Sequence, residues 1–396
     1  MNILYVVNAD IEKPSFGNEQ RTRLIYDALC KLGDVYILDV RSTGESWRGR
    51  KFLRLSPQRG IKRLVNALWH RMIIRPCKKC IVPFYPFPLC WSIQDYFPSV
   101  HFDMAVVTAI EHIGRMTLWK AVPRLYADVD DLPMQVFDTL YAPQMRCFRR
   151  TFARTINNWF WHLLEKRLTG CWVANPEQQS MVRPAGKCKL LLNIPFGAEQ
   201  GSNHSFSMAC NLKTCCDGYI FTVGRLSYPP NHLGIDRFLT STWPVVHSRF
   251  PNLKYKIAGA KLPEEYKTKW RGIPNIEVLG YVESLEELYS GCLAAVVPIS
   301  SGGGTCIKTL EALANSRVCI STPFGARGIP NEILAEGRNG IFVYDNPSSF
   351  VDVLTRLMRD AELRKRCEDA GKAYIEANYS LKQFERVVLE LINRQD

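Results

Sequence analysis

The sequence predicts an α/β protein with two Rossmann-like lobes, each built on a parallel sheet. The chain has 396 residues, a length that suits two domains of about 150 to 200 residues each. Short apolar, strand-like runs alternate with helical stripes of apolar residues. The alternation stops once, across residues 196–217, which are rich in small and polar residues. We therefore expect a first domain over residues 1–195, a linker over 196–217 and a second domain over 218–379, with the two lobes facing each other.

The first lobe opens with a βαβ unit. A strand is predicted over residues 3–7, and the segment "EQRTRLIYDALCKLG" after a polar loop has a helical apolar stripe that ends at Gly33. The segment "DVYILDV" follows as a second strand, which implies a parallel sheet. Further strands are predicted at "FDMAVVTA", "PRLYADV" and residues 171–174.

The second lobe repeats this alternation after the linker. Strands are predicted at "GYIFTVG", "LKYKIAG", "IEVLG", "LAAVVPI", "RVCIST" and "GIFVY". Helices are predicted over residues 234–250, over residues 285–290 and from Thr305 onward. This order of elements predicts a second doubly wound sheet, whose ligands bind at the carboxyl ends of its strands.

The cysteines and the N-terminus indicate a cytosolic protein. The 14 cysteines are scattered rather than spaced as a disulfide framework, which favours reduced thiols. The segment "CKKC" at residues 77–80 has metal spacing, but no second pair completes a zinc site, so ordinary thiols are favoured. The N-terminal segment "MNILYVVNADIEKPSFGNEQ" lacks a basic leader and a cleavage site, so no secretory signal is expected.

The net charge of +13 is concentrated in the first half of the chain. Residues 1–195 hold 28 Lys and Arg against 16 Asp and Glu, a net +12, and the rest of the chain holds 23 against 22, a net +1. Residues 41–79 hold 12 basic side chains and one acid. No recognition motif accompanies this charge, so nucleic-acid binding is disfavoured.

The segment "GIKRLVNALWHRMII" combines this charge with amphipathic spacing. Lys62, Arg63 and Arg71 are predicted to lie opposite an apolar side made of Ile61, Leu64, Val65, Leu68, Trp69, Met72 and Ile73. The aromatic segment "CIVPFYPFPLCWSIQDYF" follows, and its prolines exclude a spanning helix. Two interpretations stay open: a helix at the surface of an anionic membrane, with Trp69 and the aromatics of residues 84–87 inserted, or a helix packed on the sheet. The membrane surface would involve residues 41–97.

The stretch "VVPISSGGGTCIKTLEALANS" has the pattern of an anion site. A strand runs into three glycines and then into a helix, and backbone N–H groups at such a turn can approach a phosphate closely. Lys308 and Glu311 are three residues apart on the side of the helix opposite its apolar stripe. Lys308 can meet a phosphate oxygen, and Glu311 can accept hydrogen bonds from two ribose hydroxyls. The alternative is a structural turn with a solvated Lys–Glu pair; neither a P-loop nor a GxGxxG motif is present.

The second half resembles the retaining glycosyltransferases of family 4, which have the two-lobed GT-B fold. The resemblance rests on six ordered motifs, "FTVGRLSYPPN", "KIAGAKLP", "PNIEVLGYVESLEELYSGC", "VVPISSGGGTCIKTLEALA", "CISTPFGARGI" and "RDAELRKRCEDAGKAYIEANYS". The first half is more weakly similar, through "SFGNEQRTRLIYDAL", "LYADVDDL" and "LLNIPFG". The resemblance implies two lobes around a central cleft, with a C-terminal helix over about residues 380–396 returning to the first lobe.

The resemblance also implies a nucleotide-diphosphate sugar as donor and assigns residues to it. Arg225 matches the arginine that grips the diphosphate, and Glu311 the glutamate that holds the ribose. The remaining implied donor-site residues are Gly17 in the first lobe, Gly280 and Tyr281 beside the base, and the turn residues Gly303, Gly304 and Thr305. His112 falls where many members place a sugar-contacting histidine, and the resemblance implies that it acts in catalysis together with Arg225 and Lys308.

Two positions depart from the family pattern. Many members have a glutamate eight positions before the ribose glutamate, and Gly303 stands there in this chain. Members usually have a lysine about five residues after the arginine, where this chain has Pro230 and Asn231. Lys308 could supply the missing cation. Since the absent glutamate normally faces sugar hydroxyls, the departure concerns the donor sugar and leaves the nucleotide site intact.

The predicted reaction is transfer of a sugar to an acceptor hydroxyl with retention of anomeric configuration. Arg225, Lys308 and helix amides would stabilise the charge that develops on the leaving diphosphate, so no metal and no cofactor is expected. The segment "ADVDDL", with Asp128, Asp130 and Asp131, superficially resembles the metal-binding DxD of another fold. A strand end with solvated or acceptor-facing acids is the preferred interpretation.

The resemblance implies a UDP- or GDP-sugar as donor and a carbohydrate or lipid-linked acceptor, as in cell-surface polysaccharide or glycolipid biosynthesis. The expected location is cytoplasmic, with peripheral attachment at the inner face of the membrane. Two alternatives remain: a catalytically silent sugar-nucleotide-binding scaffold, made plausible by the two departures, and a nucleotide-sugar epimerase with the same two-lobed fold.

Overall fold

The computed structural model of the chain describes residues 1–12, 14, 17–41, 50–55, 58–183, 185–195, 218–302, 306–334 and 337–393. It divides into two compact units. The first comprises Met1–Leu192, Gly302–Gly304 and Leu381–Asp396, and the second comprises Asn193–Ser301 and Thr305–Ser380. The predicted linker, residues 196–217, lies outside the described residues.

The first unit contains a seven-stranded, fully parallel sheet in the order β3-β2-β1-β4-β5-β6-β7. Its central strands are almost entirely buried, which is expected of a parallel sheet covered by helices on both faces. The strands are β1 (Asn2–Val7), β2 (Asp34–Asp39), β3 (Lys51–Phe52), β4 (Met104–Val107), β5 (Leu125–Val129), β6 (Gly170–Val173) and β7 (Cys188–Leu190).

Helices precede and follow these strands. The α-helices are α1 (Gly17–Leu29), α2 (Gly60–Trp69), α3 (Ile93–Tyr96), α4 (Ile113–Met116), α5 (Pro133–Val136), α6 (Cys147–Glu165) and α7 (Pro176–Met181). Helix α2 continues into a π-helical turn, His70–Ile74, and a 3-10 turn, Arg75–Cys77; a second π-helical turn is Phe137–Tyr141. Further 3-10 turns are Ile110–His112, Leu118–Lys120, Ala142–Gln144 and Ala185–Lys187.

The second unit contains a six-stranded parallel sheet in the order β10-β9-β8-β11-β12-β13. The strands are β8 (Tyr219–Val223), β9 (Lys254–Ala258), β10 (Ile276–Gly280), β11 (Ala294–Val297), β12 (Cys319–Ser321) and β13 (Ile341–Val343). The helices are α8 (Pro229–Ser241), α9 (Trp243–Arg249), α10 (Glu264–Trp270), α11 (Glu286–Gly291), α12 (Ile307–Ala314), α13 (Asn331–Leu334), α14 (Pro347–Arg359) and α15 (Ala361–Asn378). The helix predicted over residues 234–250 is two helices, α8 and α9.

The last helix, α16 (Leu381–Ile392), belongs to the first unit, as predicted. Leu391 fills the space beside Gly170, where a Cβ would lie only 3.1 Å from its side chain. The Lys31 ammonium lies 2.6 Å from a Glu385 carboxylate oxygen. The chain thus returns from the second unit and covers the first sheet with a predominantly apolar helix face.

The aromatic segment after α2 lies in the core of the first unit. Phe84, Tyr96 and Phe97 are buried, and Trp69 packs on the same core with its indole N–H donating to the Phe84 carbonyl at 2.8 Å. The expectation that Trp69 and the aromatics of residues 84–87 insert into a membrane is therefore wrong for Trp69 and Phe84. Their ring surface is removed from water by the core itself.

Candidate functional site

The candidate donor site lies at the topological switch point of the second sheet. Strand order reverses between β8 and β11, and the loops that leave their carboxyl ends diverge there, which is where open α/β sheets bind ligands. The loop after β8 carries Gly224 and Arg225. The loop after β11 leads into α12, which carries Lys308 and Glu311.

Lys308 reaches from α12 to the end of β8. A Cβ at Gly224 would lie 2.5 Å from Lys308 Cε and 3.1 Å from the side-chain nitrogen of Asn231. The absent side chain at position 224 therefore makes room for the lysine stem. Arg225 is the next residue in the chain after Gly224. The stem of Lys308, which comes from α12, therefore passes beside the residue that precedes Arg225.

Asn231 fixes the loop that carries Arg225. Its buried amide donates to the Arg225 carbonyl at 2.8 Å, and a ring nitrogen of His232 contacts the Leu226 carbonyl at 2.8 Å. The exposed Arg225 guanidinium donates from Nε to the Ser227 hydroxyl at 3.2 Å. Pro230 and Asn231, which stand where family members usually have a lysine, carry no charge, and the stem of Lys308 passes beside the Asn231 amide.

Glu311 is buried one turn farther along α12 than Lys308. Burial raises the pKa of its carboxyl to about 7, an increase that the positive charge of Lys308 partly offsets. Among the residues that the structure describes, the Glu311 carboxylate has no hydrogen-bond or ion-pair partner. A buried carboxylate without a hydrogen-bond partner is suited to a ligand that supplies hydrogen-bond donors, such as two vicinal hydroxyls.

The predicted base-binding residues lie at the end of β10. Gly280 has a φ of 73° and interrupts the register between β10 and β9, a conformation that favours glycine. Its carbonyl accepts from Gly259 N–H at 2.7 Å, and Gly224 N–H donates to the Ala258 carbonyl at 3.0 Å. Tyr281 is exposed. The carboxyl ends of β8, β9 and β10 are therefore joined, with Tyr281 at their outer side.

The predicted glycine turn, Gly303, Gly304 and Thr305, lies outside the described residues, and its assignment to the phosphate and sugar stays a prediction.

The switch point of the first sheet holds the two residues predicted for the first unit. Strand order reverses there between β1 and β4. Gly17 is the first residue of α1 in the connection after β1, and His112 ends the 3-10 turn after β4. Burial, with a smaller contribution from Arg115, lowers the pKa of His112 to about 4, so the imidazole is neutral at pH 7. Its Nδ1 atom is buried without a hydrogen-bond partner in the described part of the chain.

Asp128, near the end of β5, is not solvated, because its carboxylate forms a buried ion pair. Arg21 of α1 donates to it from Nε at 2.9 and 3.0 Å and from Nη2 at 2.6 Å, and also donates to the Leu191 carbonyl at 2.7 Å. The pair is almost fully buried. This arrangement ties α1 to β5 and β7 and corrects the expectation of a solvated or acceptor-facing Asp128. Within the described ranges no cluster of three or more His, Cys, Asp or Glu side chains has metal-binding geometry.

Sequence reasoning missed the role of Gly224 and Gly259. Each follows a strand directly, in "FTVGR" and "KIAGA", and a Cβ at Gly259 would lie 1.8 Å from the Gly224 carbonyl oxygen. A glycine immediately after a strand, repeated in neighbouring strands, is the signal that could have indicated close backbone approach at the site.

The comparison with family models decides the class of the second unit. Residues 217–360 match the family described as "Glycosyl transferases group 1". The second unit is therefore similar to the group 1 glycosyltransferases over these residues. Among curated proteins, an "Uncharacterized 44.6 kDa protein in cps region" of Klebsiella pneumoniae is 31% identical over 117 residues. That match covers 28% of this chain and 30% of the relative, so the chain matches less than a third of its length.

Solved glycosyltransferases have the same fold across both units. The Anabaena protein Alr3699/HepE, in complex with UDP and glucose, has a TM-score of 0.63 at 12% identity, with full coverage of both chains. Sucrose-phosphate synthase from Thermosynechococcus elongatus has a TM-score of 0.70 at 12% identity, covering 100% of this chain and 98% of that one. WaaG, described as involved in lipopolysaccharide biosynthesis, has a TM-score of 0.62 at 13% identity, covering 99% and 100%. The chain therefore has the GT-B fold.

Proposed function

We propose that this glycosyltransferase moves a sugar from a nucleotide-diphosphate sugar to an acceptor hydroxyl with retention of anomeric configuration. The observation that carries the proposal is the packing of Lys308 against Gly224, which brings a second cation to the strand end that already carries Arg225. Breaking the glycosyl–phosphate bond leaves negative charge on the diphosphate. Cations fixed in advance at that position stabilise the charge as it develops.

The proposed donor lies along the carboxyl edge of the second sheet. Arg225 and Lys308 bind the diphosphate, with the amides of Gly303, Gly304 and Thr305. Glu311 accepts hydrogen bonds from the ribose hydroxyls, for which its buried carboxylate has the capacity. The base lies beside Gly280 and Tyr281. Both UDP and GDP fit this chemistry; a UDP complex of the structural neighbour HepE favours testing UDP-sugars first.

The proposed chemistry is a front-face displacement. The bond between the anomeric carbon and the diphosphate oxygen breaks with both electrons going to that oxygen. The acceptor oxygen bonds to the same face of the anomeric carbon, and its proton passes to the leaving diphosphate. Two protein cations replace a metal ion in this scheme, and no further cofactor takes part.

The acceptor is proposed to be a carbohydrate or a lipid-linked saccharide that binds the first unit near Gly17 and His112. The neutral imidazole of His112 can exchange hydrogen bonds with a sugar hydroxyl. The neighbour WaaG, described as acting in lipopolysaccharide biosynthesis, and the relative in a cps region support a role in cell-surface polysaccharide or glycolipid biosynthesis. We infer a cytoplasmic enzyme, peripheral at the inner face of a membrane.

A catalytically silent donor-binding scaffold is the second candidate. It is favoured by Gly303, which stands where many family members have a glutamate, and by Asn231, which stands where they have a lysine. Such a protein would bind the same nucleotide sugar without turnover.

The test is a binding panel with the full chain. UDP, GDP and their sugars are compared by thermal shift, because a ligand that binds only the folded state raises the apparent stability. Arg225→Ala and Glu311→Ala should each weaken binding of the preferred nucleotide by about 10- to 150-fold, equivalent to the loss of roughly 1.5 to 3 kcal/mol for a charged hydrogen bond. Arg271→Ala, which removes an exposed arginine elsewhere in the second unit, is the matched control and should bind as wild type does.

The outcomes separate the candidates. Slow release of nucleoside diphosphate from the donor supports the transferase, binding without any release supports the scaffold, and an isomerised nucleotide sugar supports an epimerase. Wild-type affinity in both site variants would show that the donor binds elsewhere.

A further inference from the structure

Helix α2 and its π-helical extension expose a stripe of large apolar side chains. Ile61 is 74% exposed, Leu64 59%, Leu68 49% and Met72 67%. The first three residues are three and four positions apart and therefore lie on one side of the helix, and Met72 follows four positions later in the extension. We call these four residues the exposed stripe. Contiguous exposed apolar surface of this kind marks an interaction site more often than chance exposure.

The exposed stripe is not the surface by which the helix packs on its own unit. The packing side carries Trp69, whose indole N–H donates to the Phe84 carbonyl, and the buried Asn66, whose amide donates to the Phe87 carbonyl at 3.0 Å. The apolar arc of the helix is wider than its contact with the core. Part of that arc packs against the first unit, and the rest is exposed to solvent.

Helix α6 lies beside α2 and adds to the same apolar surface. The rings of Trp159 and Trp69 are 6.1 Å apart, and Trp159 remains exposed. The Asn157 side chain donates to the Lys79 carbonyl at 3.1 Å and accepts from Ile81 N–H at 2.8 Å. Near the start of α6, Phe148 is 86% exposed. Two helices held together by these contacts therefore present aliphatic and aromatic side chains to solvent.

The exposed charges on these helices are mainly basic, and Arg154 of α6 pairs with the nearby acid Asp138 at 2.9 Å. Residues 60–79 contain no Asp or Glu, and their basic side chains are exposed: Lys62, Arg63, Arg71, Arg75, Lys78 and Lys79. On α6 and directly before it, Arg146, Arg149 and Arg150 are exposed. We call these nine residues the basic flank. The acid of α6, Glu165, is buried.

We propose that the exposed stripe, Phe148, Trp159 and the basic flank form a docking surface for an anionic lipid bilayer. The aliphatic side chains enter the boundary between headgroups and acyl chains, and the arginines and lysines pair with lipid phosphates around them. The charge argues against a second copy of this chain as occupant, since two basic flanks would repel each other across the interface. The identification of the acceptor as membrane-presented rests on the proposed function, whereas bilayer binding itself does not.

Sedimentation with vesicles tests the surface. The full chain should pellet with phosphatidylglycerol vesicles at low salt and should remain in the supernatant with phosphatidylcholine vesicles. The variant Arg71→Gln/Arg75→Gln should reduce the partition coefficient about 30-fold, because each favourably placed arginine contributes a factor of about five. Arg271→Gln/Arg359→Gln removes the same charge from exposed positions of the second unit and should leave binding unchanged.

The apolar contribution is tested separately. Raising the salt concentration screens the basic flank and should leave a residual bound fraction that depends on the stripe. Ile61→Ser/Leu64→Ser/Leu68→Ser should abolish this salt-resistant fraction. Val245→Ser/Leu381→Ser, which removes exposed apolar side chains from other helices, should preserve it.

Three results would overturn the proposal. The first is a wild-type chain that stays in the supernatant with phosphatidylglycerol vesicles at low salt, and the second is a stripe variant that pellets as well as wild type. The third is a wild-type chain that does not bind vesicles but forms a dimer in sedimentation velocity, with the stripe variant monomeric. The same preparations are assayed for UDP or GDP binding. Loss of vesicle binding with nucleotide binding retained rejects the docking surface alone, and the converse rejects the donor site alone.

Discussion

At the scale of single residues, the proposed donor site depends on the fit between a glycine and a lysine. Gly224 leaves the space through which the stem of Lys308 passes, and the amide of Asn231 borders the same space. The side chain of Lys308, on α12, can thus reach the end of β8, although the position of this lysine in the chain differs from the family pattern. For Lys308 to replace the family lysine in the proposed site, the residue at position 224 must lack a side chain.

The first prediction concerns this space. Gly224→Ala should displace Lys308, because the new Cβ would lie 2.5 Å from Lys308 Cε; a lysine end can move at little cost to stability. Nucleoside diphosphate affinity, measured by calorimetry, should fall about tenfold, a loss of about 1.4 kcal/mol. Lys308→Met should weaken binding at least as much, and the double variant should show less than the sum of the two effects. Additive effects would mean that the alanine acts independently of the lysine.

The second prediction concerns the protonation of Glu311. Its pKa in the folded protein is raised by burial from 4.5 to about 7, so between these pH values the folded protein keeps a proton that the unfolded chain has released. The free energy of unfolding should therefore fall as pH rises from about 4.5 to about 7, by on the order of 3 kcal/mol at most. Urea unfolding of wild type and Glu311→Gln, compared across this range, measures the effect as a difference.

The pKa of His112 is shifted in the opposite direction, so its effect on the free energy of unfolding has the opposite dependence on pH. His112 is present in both wild type and Glu311→Gln. Its folded pKa is lowered to about 4, so its stabilising contribution is lost as pH falls from about 6.5 toward 4. Glu265→Gln, which replaces an exposed carboxylate, is the control for Glu311 and should follow wild type. If Glu311→Gln also follows wild type, the Glu311 carboxyl does not carry the raised pKa.

At the scale of elements, each lobe places most of its candidate residues where its strand order reverses, whereas Gly280 and Tyr281 follow β10 at the edge of the second sheet. In the second sheet these residues follow β8 and start α12, and in the first they follow β1 and β4. Both locations follow from parallel topology, because adjacent loops diverge only where the order changes direction. Helices α6 and α16 carry none of these candidate residues. Helix α6 extends an exposed surface of the first unit, and α16 covers its sheet.

The third prediction concerns the attachment of α16. Leu391 is buried against the position of Gly170, whereas Leu381, in the same helix, is exposed. Leu391→Ala should lower the free energy of unfolding of the first unit by about 2 to 4 kcal/mol, since it leaves a cavity in a packed contact. Leu381→Ala should change it by less than about 0.5 kcal/mol. Denaturant unfolding followed by tryptophan fluorescence compares them; equal effects would show that α16 contributes no specific packing at Leu391.

At the scale of the whole molecule, net charge is divided unevenly between the two halves of the chain. The second half is nearly neutral, with 23 Lys and Arg against 22 Asp and Glu, whereas the first half holds almost the entire excess. The basic flank of the first unit lies on α2, α6 and their surroundings. Among the described residues, no helix is both long enough and apolar enough to cross a bilayer.

The fourth prediction concerns metal ions. Donor cleavage should survive EDTA, because Arg225 and Lys308 carry the positive charge that the leaving diphosphate requires. Asp128 is committed to Arg21 in a buried pair, so it cannot leave that partner without exposing an unpaired buried charge. Cleavage is measured as nucleoside diphosphate release with and without EDTA. Complete loss with EDTA and recovery with Mn²⁺ would instead assign the reaction to a metal ion.

The sequence by itself determined the periodicity of both lobes, and therefore the parallel sheets, whereas the strand order and its switch points came from the structure. The strands β1, β2, β8 and β9 were predicted to within two residues, because buried parallel strands are continuous apolar runs that end at loops or glycines. The sequence also indicated Lys308 and Glu311 as a phosphate and ribose pair, since helical spacing alone puts them on one side of α12. These inferences need only local chemistry.

Only the tertiary structure decided which surfaces are shared. The pairing of Arg21 with Asp128, the passage of Lys308 beside Gly224, and the burial of Phe84 all join residues that are distant in the chain. The amphipathic spacing of α2 was equally compatible with a core-facing and a membrane-facing helix. Packing resolved this by setting the partly buried Trp69 against the core and leaving Ile61, Leu64, Leu68 and Met72 exposed, because periodicity gives the width of an apolar arc but not how much of it a neighbouring element covers.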